Sequence, residues 1–198
     1  MSKVYKFDEV LNDLMDYFIL GDPDYLLNYQ RDHNLPEDLL TEFTTKATGD
    51  QVVEDGIMVP LAGVENYPYI IYFNLSNHTP ELLKEGNKLQ VRQDGYCLKV
   101  ENNQIYLFTM PYLRQFTADK VETLKRNRTA TISLENGWYS VEVLGGETIQ
   151  EMELTDKDGQ IAKYQYLEPT FEFIITPSPI KPKYTADISY FFKIETSE

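Results

Sequence analysis

The chain has one cysteine and two histidines in 198 residues. A single cysteine cannot form an intramolecular disulfide, and with only His33 and His78 beside it there is no ligand set for a structural zinc site. Neither histidine has a neighbour at metal spacing or a sequence-adjacent group that would position it as a general base. No metal and no cofactor are therefore expected. No segment approaches the roughly 20 consecutive apolar residues that span a bilayer, and mean hydropathy is -0.42. The opening MSKVYKFDEVLNDLMDYF has no apolar stretch of the signal-peptide kind. A cytoplasmic protein without membrane association is the expectation. Positive charge is also scarce: 18 Lys and Arg stand against 32 Asp and Glu, for a net charge of -14. A field of that sign repels nucleic acid. The one compact basic cluster, Lys125-Arg126-Asn127-Arg128, reads as a solvated helix end or an internal partner for acidic helices.

Acid is abundant and unevenly placed. Residues 1–55 carry 13 Asp and Glu against 4 Lys and Arg, a balance of -9; the other 143 residues carry 19 against 14, a balance of -5. The two parts also differ in periodicity. Over residues 6–20, Phe7, Val10, Leu11, Leu14, Tyr17 and Phe18 recur at three- and four-residue steps, which predicts a helix ended by Gly21. Asp22-Pro23 reads as an N-cap followed by proline at the first helical position, and Tyr25, Leu26, Leu27 and Tyr29 carry that helix to about His33. Pro36 opens another, with Leu39, Leu40 and Phe43 inward. Thr48-Gly49-Asp50 marks a boundary.

From residue 56 the pattern is strand-like. Residues 56–61 and 69–75 are apolar and rich in β-branched or aromatic side chains. Residues 76–88 form a polar connection with one helical turn at 80–85. Asp94-Gly95, Asn102-Asn103 and Asn136-Gly137 each suit a two-residue hairpin turn. The first two predict a meander pairing Val91 with Leu98 and Val100 with Ile105, and setting Arg92 opposite Cys97. The third pairs Leu134 with Tyr139 and Ile132 with Val141, leaving Glu135 and Trp138 together on the polar face. Residues 117–127 read as a short helix, Gly145-Gly146 as a sharp bend and Asp158-Gly159 as a further hairpin. Residues 171–176 and 186–194 form a final pair joined by Pro177, Pro179 and Pro182. The fold class is α+β: an acidic helical segment over 1–55, packed on an antiparallel β domain over 56–198 that forms a sandwich or a strongly bent sheet.

Catalytic patterns are weak. Cys97 sits mid-strand and would need both Arg92 beside it and a histidine brought close to act as a nucleophile; the plain reading is a small buried side chain. Among 32 acids, carboxylate pairs are unavoidable and carry no information. Asp156-Lys157-Asp158-Gly159 lacks the spacing and terminal glutamate of a calcium loop. Trp138 is more informative, because the hairpin register puts a large aromatic on a polar face beside Glu135, where it either anchors a partner or is covered by another element.

In size, acidity, lack of a signal peptide and the segment Asn136-Gly137-Trp138-Tyr139 … Gly145-Gly146, the chain resembles the immunity proteins of bacterial polymorphic-toxin systems. That resemblance implies a non-catalytic cytosolic protein that binds and blocks a cognate toxin. Charge and expected exposure, rather than the resemblance, select Asp13, Asp16, Asp22, Asp24, Glu135 and Trp138 as partner-binding candidates for a basic protein. Two other classes stand beside this one: a carbohydrate- or small-ligand-binding sandwich using Tyr and Trp as platforms, and an enzyme using a carboxylate pair or Cys97.

Overall fold

The computed structural model of the protein describes residues 3–11, 16–127, 130–155 and 161–197, with the side chains of Leu11 and Thr155 left aside. In chain order the elements are β1 (Val4–Leu11), β2 (Tyr17–Gly21), α1 (Pro23–Asp32), α2 (Leu39–Thr45), α3 (Thr48–Glu54), β3 (Met58–Ala62), β4 (Pro68–Asn74), β5 (Lys88–Val100), β6 (Gln104–Thr109), α4 (Ala118–Asn127), β7 (Thr131–Ser133), β8 (Gly137–Thr155) and β9 (Ile161–Ser178). The strands form a five-stranded sheet in the order β1-β4-β9-β8-β5 and a four-stranded sheet in the order β3-β2-β6-β7. Every pairing between these strands is antiparallel except β4 with β9. The fold is α+β, as expected.

One core lies between the sheets. The ring of Phe18 on β2 meets Tyr69 of β4 at 5.7 Å and Phe171 of β9 at 6.3 Å, both edge-on. Successive strand residues point to opposite faces, so Tyr17 and Ile19 look away from this core. There they meet Phe43 and Val53 of α2 and α3. The helices thus cover the outer face of the four-stranded sheet.

Helices α1 and α2 match the sequence signals, whereas Thr48-Gly49-Asp50, expected as a boundary, opens helix α3. Asp22 caps α1, accepting from Tyr25 N at 3.1 Å, with Pro23 at the first helical position. The helix expected over 6–20 is instead β1 and β2. Strand β1 pairs with β4, and its register slips between Phe7 and Val10. Glu9 in that slip has φ 56. The slip places apolar residues at steps that imitate a helix. Strand β2 is apolar on both faces because one faces the core and the other the helices, so its run has no strand alternation to read.

Of the three hairpin signals, Asn102-Asn103 and Asn136-Gly137 mark changes of direction and Asp94-Gly95 does not, and none gives the expected pairing. β5 runs through Asp94-Gly95 as a bulge, with a register shift between Gln93 and Tyr96 and φ +85 at Gly95. Cys97 therefore lies opposite Ser140 and Arg92 opposite Leu144. At Asn102-Asn103 the chain crosses from one sheet to the other. Asn136-Gly137 carries it back, with β7 paired to β6 and β8 paired to β5 and β9. The two crossings brace each other: Asn103 N donates to Asn136 Oδ1 at 2.7 Å and Leu134 N to Asn103 O at 3.0 Å. Gly145 and Gly146 do not bend β8. They lie in register with Phe171 and Thr170, and a Cβ on Gly145 would come within 2.7 Å of the Phe171 ring. The turn expected at Asp158-Gly159 lies outside the described residues, although β8 and β9 pair continuously up to Thr155 and Ile161.

Residues 179–197 are not the expected final strand. They run as an extended strap with one isolated bridge, Phe191 to Ala62. Thr185 N donates to Gly95 O at 2.9 Å, Phe192 N to Ala62 O at 2.7 Å and Ser197 N to Glu147 Oε1 at 2.7 Å. The strap therefore ties both sheets together with few ladder bonds.

Candidate functional site

The structure scatters the residues that charge and expected exposure selected. Asp22 is buried and its carboxylate faces inward. Besides Tyr25 N it accepts Glu101 N at 3.0 Å, Asn102 N at 2.9 Å and both Oδ contacts of Asn102 Nδ2 at 3.0 and 3.1 Å. Its charge is satisfied by the corner between β5 and β6 instead of being presented to solvent. Asp24 is one-third exposed and pairs with Lys125 at 2.6 Å. That contact makes the basic cluster at the end of α4 an internal partner for α1, as one reading of it expected; Arg128 lies outside the described residues, as does Asp13. Asp16 is exposed beside Tyr17, and Glu135 is exposed while its carbonyl accepts the Tyr139 hydroxyl at 2.7 Å.

Trp138 is half-buried against Gly56. Lys99 Nζ lies 5.3 Å and Lys181 Nζ 5.6 Å from its ring, within cation–π reach. Lys181 in turn pairs with Asp55 at 3.5 Å, and Lys99 with Glu101 at 3.4 Å. The charges nearest the indole ring are thus two lysine ammoniums, each also paired with a carboxylate.

The residues considered for catalysis do not converge. Cys97 is buried, its thiol directed at Glu54 O at 3.5 Å, and burial pushes its pKa up. Arg92 pairs with Glu142 instead of approaching the thiol. His33 stacks on Tyr29 with ring centroids 4.0 Å apart. His78 lies in the connection after β4, beside a hollow whose lining does not include His33. Among the described residues, no group of three or more His, Cys, Asp or Glu is placed to hold a metal ion, and no helix is long and apolar enough to cross a membrane.

Two features that the sequence reading missed stand out. The first is a projecting ribbon. β8 leaves β5 at Glu147 and β9 leaves β4 at Thr170, yet β8 and β9 stay paired from Thr148 and Glu168 out to Thr155 and Ile161. Thr148 and Gln150 are still buried, with Ile149 N donating to Asn87 Oδ1 and Lys6 Nζ to Gln150 Oε1, both at 2.7 Å, so the five residues of β8 from Glu151 to Thr155 project, over about 16 Å. The cross-strand pairs Met152 with Tyr164 and Leu154 with Ala162, and Tyr166 opposite Gln150, put the apolar side chains on one face. Met152 is 43%, Leu154 47%, Tyr164 52% and Tyr166 40% exposed. The opposite face is polar in its middle, with Gln165 donating to Glu151 at 3.1 Å and Lys163 paired to Glu153 at 3.3 Å, and has Ile149 and Ile161 at its two ends. An isolated two-stranded ribbon is at best marginally stable in water, and exposed apolar surface of this kind marks a contact area. Alternation over 151–155 (Glu-Met-Glu-Leu-Thr) and 162–166 (Ala-Lys-Tyr-Gln-Tyr) was the available signal.

The second feature is a half-open cavity of about 650 Å³ between the outer face of β2 and β3, the helices α2 and α3, and the C-terminal strap. Asp16 and Asp50 stand among its lining residues, and no lysine or arginine does.

No protein-family model and no curated protein matches the sequence. Two solved structures are similar in fold. One is ComJ from Bacillus subtilis, the inhibitor of the DNA-degrading activity of NucA, at 12% identity over 90% of this chain and 99% of that one, with a TM-score of 0.44. The other is the protein of crocagin biosynthetic gene J, at 10% identity over 88% of this chain and 97% of that one, with a TM-score of 0.47.

Proposed function

We propose that the protein is a non-catalytic binding module that neutralises a basic protein partner, as a toxin immunity protein does. The observation that carries this reading is the free half of the β8–β9 ribbon. It offers Met152, Leu154, Tyr164 and Tyr166 on one exposed face, and tyrosine is among the residues that dominate binding energy at interfaces. The ribbon is also acidic: residues 147–170 hold 6 Asp and Glu against 2 Lys. A second copy of the chain or an anionic lipid surface would meet like charge there, whereas a basic protein surface would meet opposite charge. The helical layer adds to this field. Residues 22–55 hold 9 Asp and Glu against Arg31 and Lys46, and Asp32, Glu37, Asp38, Asp50 and Glu54 are exposed. Charge of this density speeds encounter with a cationic partner, and the apolar ribbon face supplies the contact that slows release.

The test is affinity capture from the lysate of the source cells at low and moderate salt, with immobilised wild-type protein and a Met152→Ser, Tyr164→Ser variant. One stoichiometric basic protein, retained by the wild type at low salt, released by moderate salt and lost by the variant, is the expected result. If no basic protein is retained at either salt, the reading is wrong.

A further inference from the structure

The cavity over the outer face of the four-stranded sheet joins an apolar floor, aromatic walls and two carboxylates. Its floor is apolar, including Ile19 of β2, and three aromatic side chains, Tyr17, Phe43 and Phe191, stand in its walls. Asp16 and Asp50 are exposed beside them. Among the described residues neither carboxylate takes part in an ion pair. Phe191 is 68% exposed although the next residue, Phe192, is fully buried and bonded through its N–H to Ala62 O at 2.7 Å. The strap thus fixes a large aromatic at the mouth of the cavity where its own burial gives it no reason to be.

We propose that this cavity receives an aliphatic guanidinium, delivered as an arginine side chain of the basic partner; for the source of that side chain the proposal rests on the neutraliser reading above. An arginine has a three-carbon stem that gains from an apolar floor and a planar, weakly hydrated head that stacks on aromatic faces while bonding to carboxylates. An ammonium gains less because it must shed a tighter hydration shell. An anion is repelled by Asp16 and Asp50. A neutral alkyl group gains only the floor.

The experiment is an NMR titration of the intact, 15N-labelled protein with n-butylguanidinium, with n-butylammonium and n-butanol as comparisons. Asp50→Asn and Phe191→Ala serve as variants; both positions are exposed, and unchanged amide spectra away from the cavity confirm that each variant folds. Saturable shifts at residues around Tyr17, Asp50 and Phe191 are expected with butylguanidinium. Its affinity should exceed that of butanol and should fall by about fivefold in each variant, the size of one exposed charge or cation–π contact. Equal binding of butanol and butylguanidinium, or affinity unchanged by Asp50→Asn, overturns the proposal. The two readings separate cleanly. Capture of a basic protein without guanidinium binding defeats the cavity proposal alone. Guanidinium binding without a captured protein upholds the chemistry of the site and defeats its assignment to a protein partner.

Discussion

Replacing Asp22 by alanine removes one carboxylate from two structures at once. At α1 it deletes the cap on Tyr25 N, a loss worth about 1 kcal/mol. At the corner between β5 and β6 it strands the N–H groups of Glu101 and Asn102, which sit 3.0 and 2.9 Å from the same oxygen. Each backbone donor left without an acceptor costs roughly 1–3 kcal/mol when buried. Glu101 and Asn102 are exposed residues, so water replaces part of that loss, and the low end applies. The combined destabilisation is about 3 kcal/mol, a large share of the roughly 5–15 kcal/mol that holds a domain together. For a chain of this size it corresponds to about 10 °C in Tm. Urea unfolding followed by the fluorescence of Trp138 measures it directly, as a midpoint shift of about 1–2 M. Asp22→Asn retains one acceptor oxygen for Tyr25 N but sets an amide against Glu101 N–H, so it should fall between alanine and wild type. Asp24→Ala, which removes only a partly exposed pair with Lys125, should cost less than about 1 kcal/mol. If Asp22→Ala is no more harmful than Asp24→Ala, the buried clamp is not the structural element described here.

Three other outcomes are expected. Cys97 should react with a disulfide reagent only as fast as the protein opens, because burial raises its pKa and shields it; rapid labelling at neutral pH under native conditions would contradict this. Burial alone would raise the pKa of Glu147, but hydrogen bonds from Ser197 and the nearby Lys88 outweigh burial and leave it lowered. Its contribution is therefore full above the ordinary glutamate range and is lost as the pH falls through the lowered folded-state value. Wild type should exceed Glu147→Gln in urea midpoint at neutral pH and converge with it in acid, and a gap that stays constant with pH would be the contrary result. Trp138 fluorescence should be quenched more by iodide than by caesium despite the net charge of -14, since Lys99 and Lys181 flank the ring. Lys99→Gln with Lys181→Gln should reverse that order.

Where a local rule settled the matter, the sequence was readable. Asp22-Pro23 marks the start of α1 because capping and a fixed proline φ act within one turn. Helix α4, the turn at Glu81–Leu83 and strands β3 and β4 follow from short-range pattern in the same way. Residues 4–21 misled because a slip at Glu9 and a strand buried on both faces each erase the two-residue period. Asp94-Gly95 proved a bulge inside β5, because glycine at positive φ serves a bulge as well as a turn; Asn102-Asn103 and Asn136-Gly137 were real turning points, but a turn says only that the chain changes direction. Which sheet receives the next strand depends on contacts far along the chain, such as Tyr139 opposite Leu98 instead of Leu134. The candidate site was hidden for a related reason. Charge and expected exposure picked out acids without knowing that Asp22 would turn inward, and the ribbon's apolar face became meaningful only once β8 and β9 were seen to outrun their neighbours.

The parallel pairing of β4 with β9 has a consequence during synthesis. Residues Ile70 to Asn74 of β4 find their partners a hundred positions later, at Thr170 to Ile174. β1 and β4 therefore leave the ribosome with one flank bare, and the larger sheet cannot close until translation has passed β9. Through that interval the acidic α1–α3 stretch, already synthesised, sets like charge between nascent chains and opposes their association. Charge placed this early in the chain therefore acts before the fold exists, by keeping unfinished neighbours on a polysome apart.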